Sequence, residues 1–298
     1  MKLIALVSIA ALFLTICGLA APARAIEIVD DLGQKIVLDK PAARIIPLYG
    51  AFAEMLFSIG AGKAVIARTQ ADAYPPEVAI LPSVGTHMSP NVEMILGLKP
   101  DLVIESSSRR EETPEISRLL DSRIPVAVFS PKTFEEIFSV IERLGSISGH
   151  EQQASAFSAS LAGRLKAVRD KLAGIEIRPK VFFEIRAEPL TGAGRASIVD
   201  EIMKAASAQN ALDSDKAIVQ YSLEALLLQD PDFYVLQRGP MNKNPIPPDK
   251  RAHFDRLKCV RDGKVMIADE FSFSRPGPRC VDAVEQLAAA LYPERFGK

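Results

Sequence analysis

Two carboxylates occupy the same place in two matched stretches of this 298-residue chain. Residues 91–104 read NVEMILGLKPDLVI, and residues 222–235 read SLEALLLQDPDFYV. Aligned without a gap, Glu93 meets Glu224, Pro100 meets Pro231 and Asp101 meets Asp232. Each copy opens on a helix-capping residue, Asn91 or Ser222, and runs through an apolar stretch and Pro-Asp into a strand-like run. The pattern predicts a short capped helix that feeds a buried strand. A Glu in a first helical turn is ordinarily explained by the macrodipole. Its recurrence at one position of two matched units adds a second reading: acidic groups at matched tips of two lobes, suited to two arginine sites on a partner. The copies lie 131 residues apart, far beyond solenoid repeat lengths, which points to two similar lobes rather than a repeat array.

A second group of chemically useful residues lies at the ends of expected strands. In open α/β sheets, ligands sit beyond the carboxyl ends of the strands. That rule selects Tyr49, Arg68 and residues 106–110 in the first half, and Arg186, Gln237, Arg238 and residues 271–273 in the second. Arginine forks bind carboxylates bidentately, and Tyr or Phe rings cover flat faces. The set suits a large anionic ligand with apolar surfaces; the plainer reading of each arginine is a solvated loop charge. His87, in the loop before the first motif copy, is placed near the same cleft, as a loop hydrogen-bonder or as an imidazole on a chelated metal. His150 and His253 read as surface positions, and three dispersed histidines do not suit a multi-histidine zinc or manganese site. Gly192-x-Gly194 lacks the rest of a phosphate-binding fingerprint and reads as a flexible loop. The chain contains no Gly-x-Ser-x-Gly elbow, His-Glu-x-x-His or Walker loop. No catalytic residue, resident metal or cofactor is therefore expected, and the chain is not read as an enzyme.

The phrase N-x-E-x-I-L-x-L-x-P-D-L-V-I resembles the signature of periplasmic substrate-binding proteins for iron–siderophores, haem and cobalamin, the helical-backbone type that serves ABC importers. The similarity extends to LYGAFAEMLFSIGAG (48–62), VIARTQADAYP (65–75) and RPGPRCVDAVEQLAAALYPERF (275–296). The resemblance implies an α/β fold of two Rossmann-like lobes with mainly parallel sheets, joined by one long α-helix, with a ligand cleft between the lobes. It implies that Glu93 and Glu224 engage arginines on the transmembrane permease of an ABC importer. The implied cargo is a small-molecule metal chelate, a ferric siderophore first, with haem, a corrinoid such as cobalamin, or a molybdate-type oxyanion as alternatives. Outside the family, the alternative is a periplasmic α/β enzyme. Tyr49, Arg68, His87, Arg186, Arg238 and Phe271 are the expected ligand contacts. The family often shows Gly-Gly before an Asn where this chain has Ala208-Gln209-Asn210, so the local turn is expected to differ.

Several elements must position these residues. In the first half the patterns predict a hairpin over 26–38 turning at 31–33, a strand at 44–48, and a helix over 51–59 closed by Gly60. A strand over 63–68, a helix over 112–122 and a strand over 124–129 follow. Thr133 and Glu136 form a capping box for a helix over 133–144. Alternating strands and helices imply a mainly parallel sheet covered on both faces. Ala154, Phe157, Leu161, Leu165, Val168 and Leu172 recur at three or four, the mark of one amphipathic helix. The second half predicts a strand over 180–185, a helix over 197–208, a proline-rich cleft-rim loop over 239–250, a helix over 253–260, a strand over 264–268 and a closing helix over 279–291. The expected organisation is a leader at 1–25, a first lobe at 26–148, a linker helix at 149–175 and a second lobe at 176–298.

The leader reading rests on Lys2, the apolar run 3–14 and the Ala23-Arg24-Ala25 site, and implies export to the periplasm with cleavage. An uncleaved anchor over 3–21 and a lipoprotein at Cys17 are the alternatives; Ile16 stands where a lipoprotein signal needs a small residue. Removing Lys2 and Arg24 takes the formal net charge from −1 to −3, without the basic excess that nucleic acid binding favours. A monomer is expected. Apolar residues make up 48% of the chain, enough to build packed cores rather than a disordered chain. Beyond the leader two cysteines remain, Cys259 and Cys280. In an exported protein that pair invites a disulfide, against the alternative of two buried thiols.

Overall fold

The structure, a computed structural model, describes residues 25–106, 118–119 and 121–297. The leader with Cys17, residues 107–110 and most of the expected helix over 112–122 lie outside the described residues.

The chain opens on β1 (Ile26–Val29) and β2 (Lys35–Leu38), the expected hairpin. Asp30 receives the amides of Leu32 and Gln34 and so closes the turn, where Gly33 takes φ +77°. The other oxygen of Asp30 accepts from the Val128 amide, which fastens the hairpin to the lobe. The first sheet is parallel: β3 (Ile45–Pro47), β4 (Leu102–Ser106) and β5 (Val126–Phe129), in that order. These strands are buried nearly throughout, as a parallel sheet covered on both faces requires, and so they read as continuous apolar runs. α1 (Gly50–Ser58) follows β3, and α2 (Val92–Gly97) precedes β4. α3 (Phe134–Ser148) follows β5 and carries the expected Thr133–Glu136 capping box.

The strand expected over 63–68 does not form. Gly60, at φ +85°, ends α1 and starts a 3₁₀ turn over Ala61–Ala64. What remains meets its neighbours only through isolated bridges, Val65 with Ile45 and Arg68 with Ser83.

α4 (Glu151–Lys171), the amphipathic helix, has 21 residues and spans about 30 Å. Ala154, Leu161 and Val168 are buried along one stripe. It leads into the second sheet, built from β6 (Lys180–Arg186), β7 (Thr191–Ala193), β8 (Gln209–Asn210), β9 (Ile218–Gln220), β10 (Phe233–Arg238) and β11 (Val265–Asp269). The order is β11-β10-β6-β7-β9, with β8 also paired to β6. β6, β8, β10 and β11 run parallel; β7 is antiparallel to its neighbours β6 and β9. Its helices are α5 (Ile198–Ala205), α6 (Leu223–Gln229), the single turn α7 (Lys258–Arg261) and the closing α8 (Cys280–Leu291). Arg164 of α4 holds both Asp282 and Glu285 of α8, which ties the linker helix to the second lobe.

Three local expectations are corrected here. The segment around Gly192 and Gly194 is not a flexible loop: Gly192 lies in β7, where a Cβ would press on Leu212 and Phe182, and a Cβ at Gly194 would strike the Lys216 carbonyl. The helix expected over 253–260 is broken, because His253 takes φ +69° and a 3₁₀ turn, Phe254–Arg256, precedes α7. The Cys259–Cys280 disulfide is absent, and both thiols are free and buried. Successive residues of a strand face opposite sides. Cys259 packs with Phe182, Tyr234 and Leu236 on one face of the second sheet, and Cys280 with Val181, Phe183 and Val235 on the other. The sheet itself separates the two sulfurs. Burial pushes the Cys259 thiol up to about 11 and the Cys280 thiol up to about 12, so neither forms a thiolate readily. Peptide mapping after alkylation is expected to find both cysteines unmodified in native protein and both alkylated after unfolding without reductant; a linked Cys259–Cys280 peptide would contradict this arrangement.

Candidate ligand cleft and partner-docking surface

The two motif copies build the same unit twice. Asn91 Oδ1 accepts from the Met94 amide and Ser222 Oγ from the Ala225 amide, so each caps its helix as expected. Lys99 and Asp230, the residues before the two prolines, both end their helices in the left-handed region, at φ +49° and +38°. Asp101 then accepts from the amides of Ala43 and Arg44 at 2.9 Å, and Asp232 from the amide of Lys180 at 2.8 Å. Those amides stand at the threshold of β3 and β6, so each Asp pins the start of the neighbouring strand. The cation beside each clamp, Arg44 or Lys180, donates to carbonyls at the end of the helix, Leu98 and Lys99 in one lobe and Gln229 in the other. Ile95 and Leu226 bury the inner face of each helix, while Glu93 and Glu224 stand exposed in its first turn. Hydrogen bonds from its own amide and from Ser222 hold the Glu224 carboxyl below the usual range, so it is ionised at neutral pH. Arg118 lies 3.6 Å from Glu93, both well exposed, a pair that water screens.

Each helix runs back against the strand that follows it, which places its N-terminus toward the carboxyl edge of its sheet. A cavity lined by both lobes lies at that edge. It measures about 370 Å³, within the range of small-molecule sites. The first lobe supplies Tyr49, Phe52 and His87, with Ser106 from the end of β4 and Ser130, Pro131 and Lys132 after β5. The second lobe supplies Ile185 from β6, Ala193, the start of α5 from Ala196 to Val199, Ala217, Ile218, Met241, Ser274 and Pro276. The walls are mostly apolar. Among the described lining residues, Lys132 is the one charged side chain.

The expected contacts divide on this geometry. Tyr49 and His87 line the cavity with ring centroids 5.9 Å apart. Gly85, at φ +97°, makes the tight turn that carries His87; a Cβ there would meet the Ser89 carbonyl at 2.7 Å. Phe271 lines a smaller adjoining cavity of about 120 Å³. Arg68, Arg186 and Arg238 line neither. Arg68 folds its own loop, donating to the carbonyls of Leu81, Thr69 and Gln70 at 3.0–3.2 Å. Arg186 fails by strand parity: Ile185 faces the cavity, so the next residue points away from it and is exposed. Arg238 is the last residue of β10 and is exposed where the strand leaves the buried sheet.

Apart from Gln237, sequence reasoning passed over the residues that frame the cavity. Glu184 is fully buried and receives the Tyr234 hydroxyl and both Nη atoms of Arg251. Arg251 also donates to the Ile246 carbonyl at 2.7 Å, so this pair anchors one end of the proline-rich loop. Burial, with the neighbouring Glu184 charge, pushes the Tyr234 hydroxyl well above its ordinary value, and it stays a donor. The other end of the loop is held by Glu270, which accepts from the Met241 amide at 2.7 Å and from Gln237 Nε2 at 3.2 Å. Gln237 in turn receives the Ser274 hydroxyl. Met241 and Ser274 therefore reach the cavity from a pinned frame.

A second overlooked cluster joins the lobes. Arg279, just before α8, makes a two-pronged pair with Glu54 of α1, and Arg275 lies 3.5 Å from Asp72. Arg275 also lies over the rings of Phe271, at 4.2 Å, and Tyr49, at 5.7 Å. Two signals in the sequence mark this cluster: Glu54 is the one charge in the apolar helix GAFAEMLFS, and Arg279 puts a cation at a helix N-terminus, where the macrodipole disfavours it.

The sequence model of the family described as "Periplasmic binding protein" matches residues 45–268, from β3 into β11. The chain belongs to this family. It is 30% identical over 276 residues, 91% of this chain and 87% of the relative, to the uncharacterized ABC transporter substrate-binding lipoprotein YvrC of Bacillus subtilis. It is 28% identical over 253 residues, 83% of this chain and 88% of the relative, to a vitamin B12-binding protein of Pectobacterium carotovorum. The crystal structure of the periplasmic vitamin B12 binding protein BtuF of Vibrio cholerae is similar with a TM-score of 0.73 at 25% identity, over 87% of this chain and 99% of that one. The two-lobe fold and the interlobe cavity are thus those of ABC-transporter substrate-binding proteins, which hand their ligands to a transmembrane permease.

Glu105, beside the cavity-lining Ser106, is buried within the first sheet and accepts the Ser106 amide. Burial pushes its carboxyl up to about 7. The folded state therefore holds this proton more tightly than the unfolded chain. The stability it contributes is fully present below about pH 4.5 and is lost as pH rises toward 7. Glu105→Gln removes the titration. Its stability relative to the parent protein is expected to rise by roughly 2–3 kcal/mol between pH 4.5 and pH 7 in denaturant titrations; parallel stability profiles for the two proteins would contradict the assignment.

Proposed function

We propose that this protein captures a bulky, largely uncharged metal chelate of the corrinoid class between its lobes and delivers it to the permease of an ABC importer, docking through Glu93 and Glu224. The wall chemistry of the cleft carries the ligand reading. Apolar side chains from both lobes face each other across it, and Lys132 is the charged group among the described lining residues. Apolar walls of this kind suit a ligand with large uncharged surfaces. The relatives named as vitamin B12-binding proteins support the same ligand class. Haem is the second reading, favoured by Tyr49 and His87 side by side in the wall, since phenolate and imidazole both ligate haem iron.

The docking reading rests on the two matched helix starts. Each presents an exposed carboxylate on a helix whose ends are capped and whose Pro-Asp exit is clamped. Such charges steer encounter and set orientation more than they add affinity. The leader over residues 1–25 supports work in the periplasm, as a monomer that meets the permease from outside. The ligand is released unchanged, which distinguishes a receptor from a periplasmic enzyme.

Calorimetric titration with cyanocobalamin, haemin and a ferric hydroxamate separates the ligand readings. Cyanocobalamin is expected to bind with one equivalent and to be recovered at its original mass. Haemin binding with a shifted Soret band and no cobalamin heat would replace the first reading by the second, and binding of the hydroxamate alone would reject both. For docking, the pair Glu93→Arg and Glu224→Arg is expected to leave ligand affinity within about twofold and to cut uptake at least about tenfold. Normal uptake by that double variant would refute the docking role.

A further inference from the structure

The lobes are joined at a second place besides the linker helix. Arg275 and Arg279 lie in the segment between β11 and α8 of the second lobe; Glu54 and Asp72 belong to the first. Both carboxylates are almost wholly buried, and both arginines are mostly so. Burial raises the Glu54 and Asp72 carboxyls while Arg279 and Thr69, respectively, pull them back down, the mark of charges that depend on their partners. The backbones approach closely here. A Cβ on Gly50 would come within 2.9 Å of Arg275 Nη1, and one on Gly277 within 3.1 Å of the Ala51 Cβ. The cluster shares a wall with the ligand cleft: Tyr49 and Pro276 line the cleft, and their neighbours Gly50 and Arg275 line the adjoining small cavity.

We infer that Arg275 and Arg279 are positioning residues that hold the two walls of the cleft at a set separation through Asp72 and Glu54, and so govern how long a bound ligand stays. Parting the lobes at this point exposes two arginines, strips the buried Glu54 of its hydrogen-bond partner and leaves the buried Asp72 with Thr69 but no cation, an unfavourable change. Motion is thereby confined to the side of the cleft away from the clasp, and the ligand meets a wall already in place. Preset walls act on affinity chiefly through the off-rate. The ligand part of the inference rests on the proposed binding role of the cleft; the geometric part does not.

The informative variant replaces the whole pair. Arg279→Met alone strands a buried Glu54, whereas Glu54→Leu with Arg279→Met substitutes apolar groups of similar size, an exchange proteins often tolerate without loss of stability. Gly50→Ala is a second route, which displaces Arg275 and Asp72 without removing a charge. Spin labels at Glu142→Cys in α3 and Asp262→Cys after α7, both exposed positions, report the distance between lobes by dipolar spectroscopy. The native thiols are buried and stay unlabelled. In both the double variant and Gly50→Ala, the interlobe distance distribution of ligand-free protein is expected to broaden. The cyanocobalamin off-rate is expected to rise by about tenfold or more with the on-rate within about threefold. A parental distance distribution in either variant, if folded, overturns the inference, whatever ligand proves to bind; a broadened distribution with a parental off-rate overturns its claim on ligand residence. Should the parental protein not bind cyanocobalamin, the distance measurement alone decides, and the failure belongs to the ligand reading.

Discussion

A carboxylate that caps the first amides of a neighbouring strand is the constraint on which both lobes depend. Asp101 does this for β3 and Asp232 for β6. The proline before each Asp stops the preceding helix, and the residue before that proline turns into the left-handed region to release the chain. Helix end, strand start and strand neighbour are thus locked in one step. Two consequences follow from that lock. The strands enter their sheets in register, so their carboxyl ends converge on the cleft. The helix N-termini point back toward the same edge, so their exposed glutamates stand on the face that carries the cleft.

The cleft itself is framed by buried charge and walled by apolar groups. Glu184 with Arg251, and Glu270 with Gln237 and the Met241 amide, hold the two ends of the proline-rich loop. Glu54 with Arg279 holds one lobe against the other. Each of these carboxylates lies behind the wall rather than on it. The arrangement has a physical logic: an ion pair out of water is costly to part and specific in geometry, while an apolar surface facing a ligand contributes through burial alone. Placing the first behind the second gives the mostly apolar wall a definite shape.

The duplicated helix–Pro-Asp–strand unit, the hairpin at Asp30–Gly33, the Thr133–Glu136 box and the linker helix are all legible in the amino-acid sequence. They follow from local periodicity and capping chemistry, and the structure contains each of them. The strand-end rule selects Tyr49, and the loop before the first motif copy selects His87; both side chains line the cavity. The same rule also selects Arg186 and Arg238, which line neither cavity, since it names a sheet edge and not the direction of each side chain. The Cys259–Cys280 bridge fails for a similar reason: compartment and count favour a pair, but only the sheet between them shows that the sulfurs cannot meet.

The boundary between the two kinds of knowledge is set by interaction range. Helix caps, turn glycines and apolar stripes act within a few residues, so the sequence by itself determined many of the elements and the two-lobe plan, and marked Glu93 and Glu224 as equivalent. Which side chains meet across 225 residues, as Arg279 and Glu54 do, depends on how finished elements pack. Local periodicity carries no record of that packing. Tertiary structure alone therefore decided the makeup of the cleft wall, the anchoring of its rim and the clasp between the lobes, because each of these is a contact between parts of the chain that become neighbours only after folding.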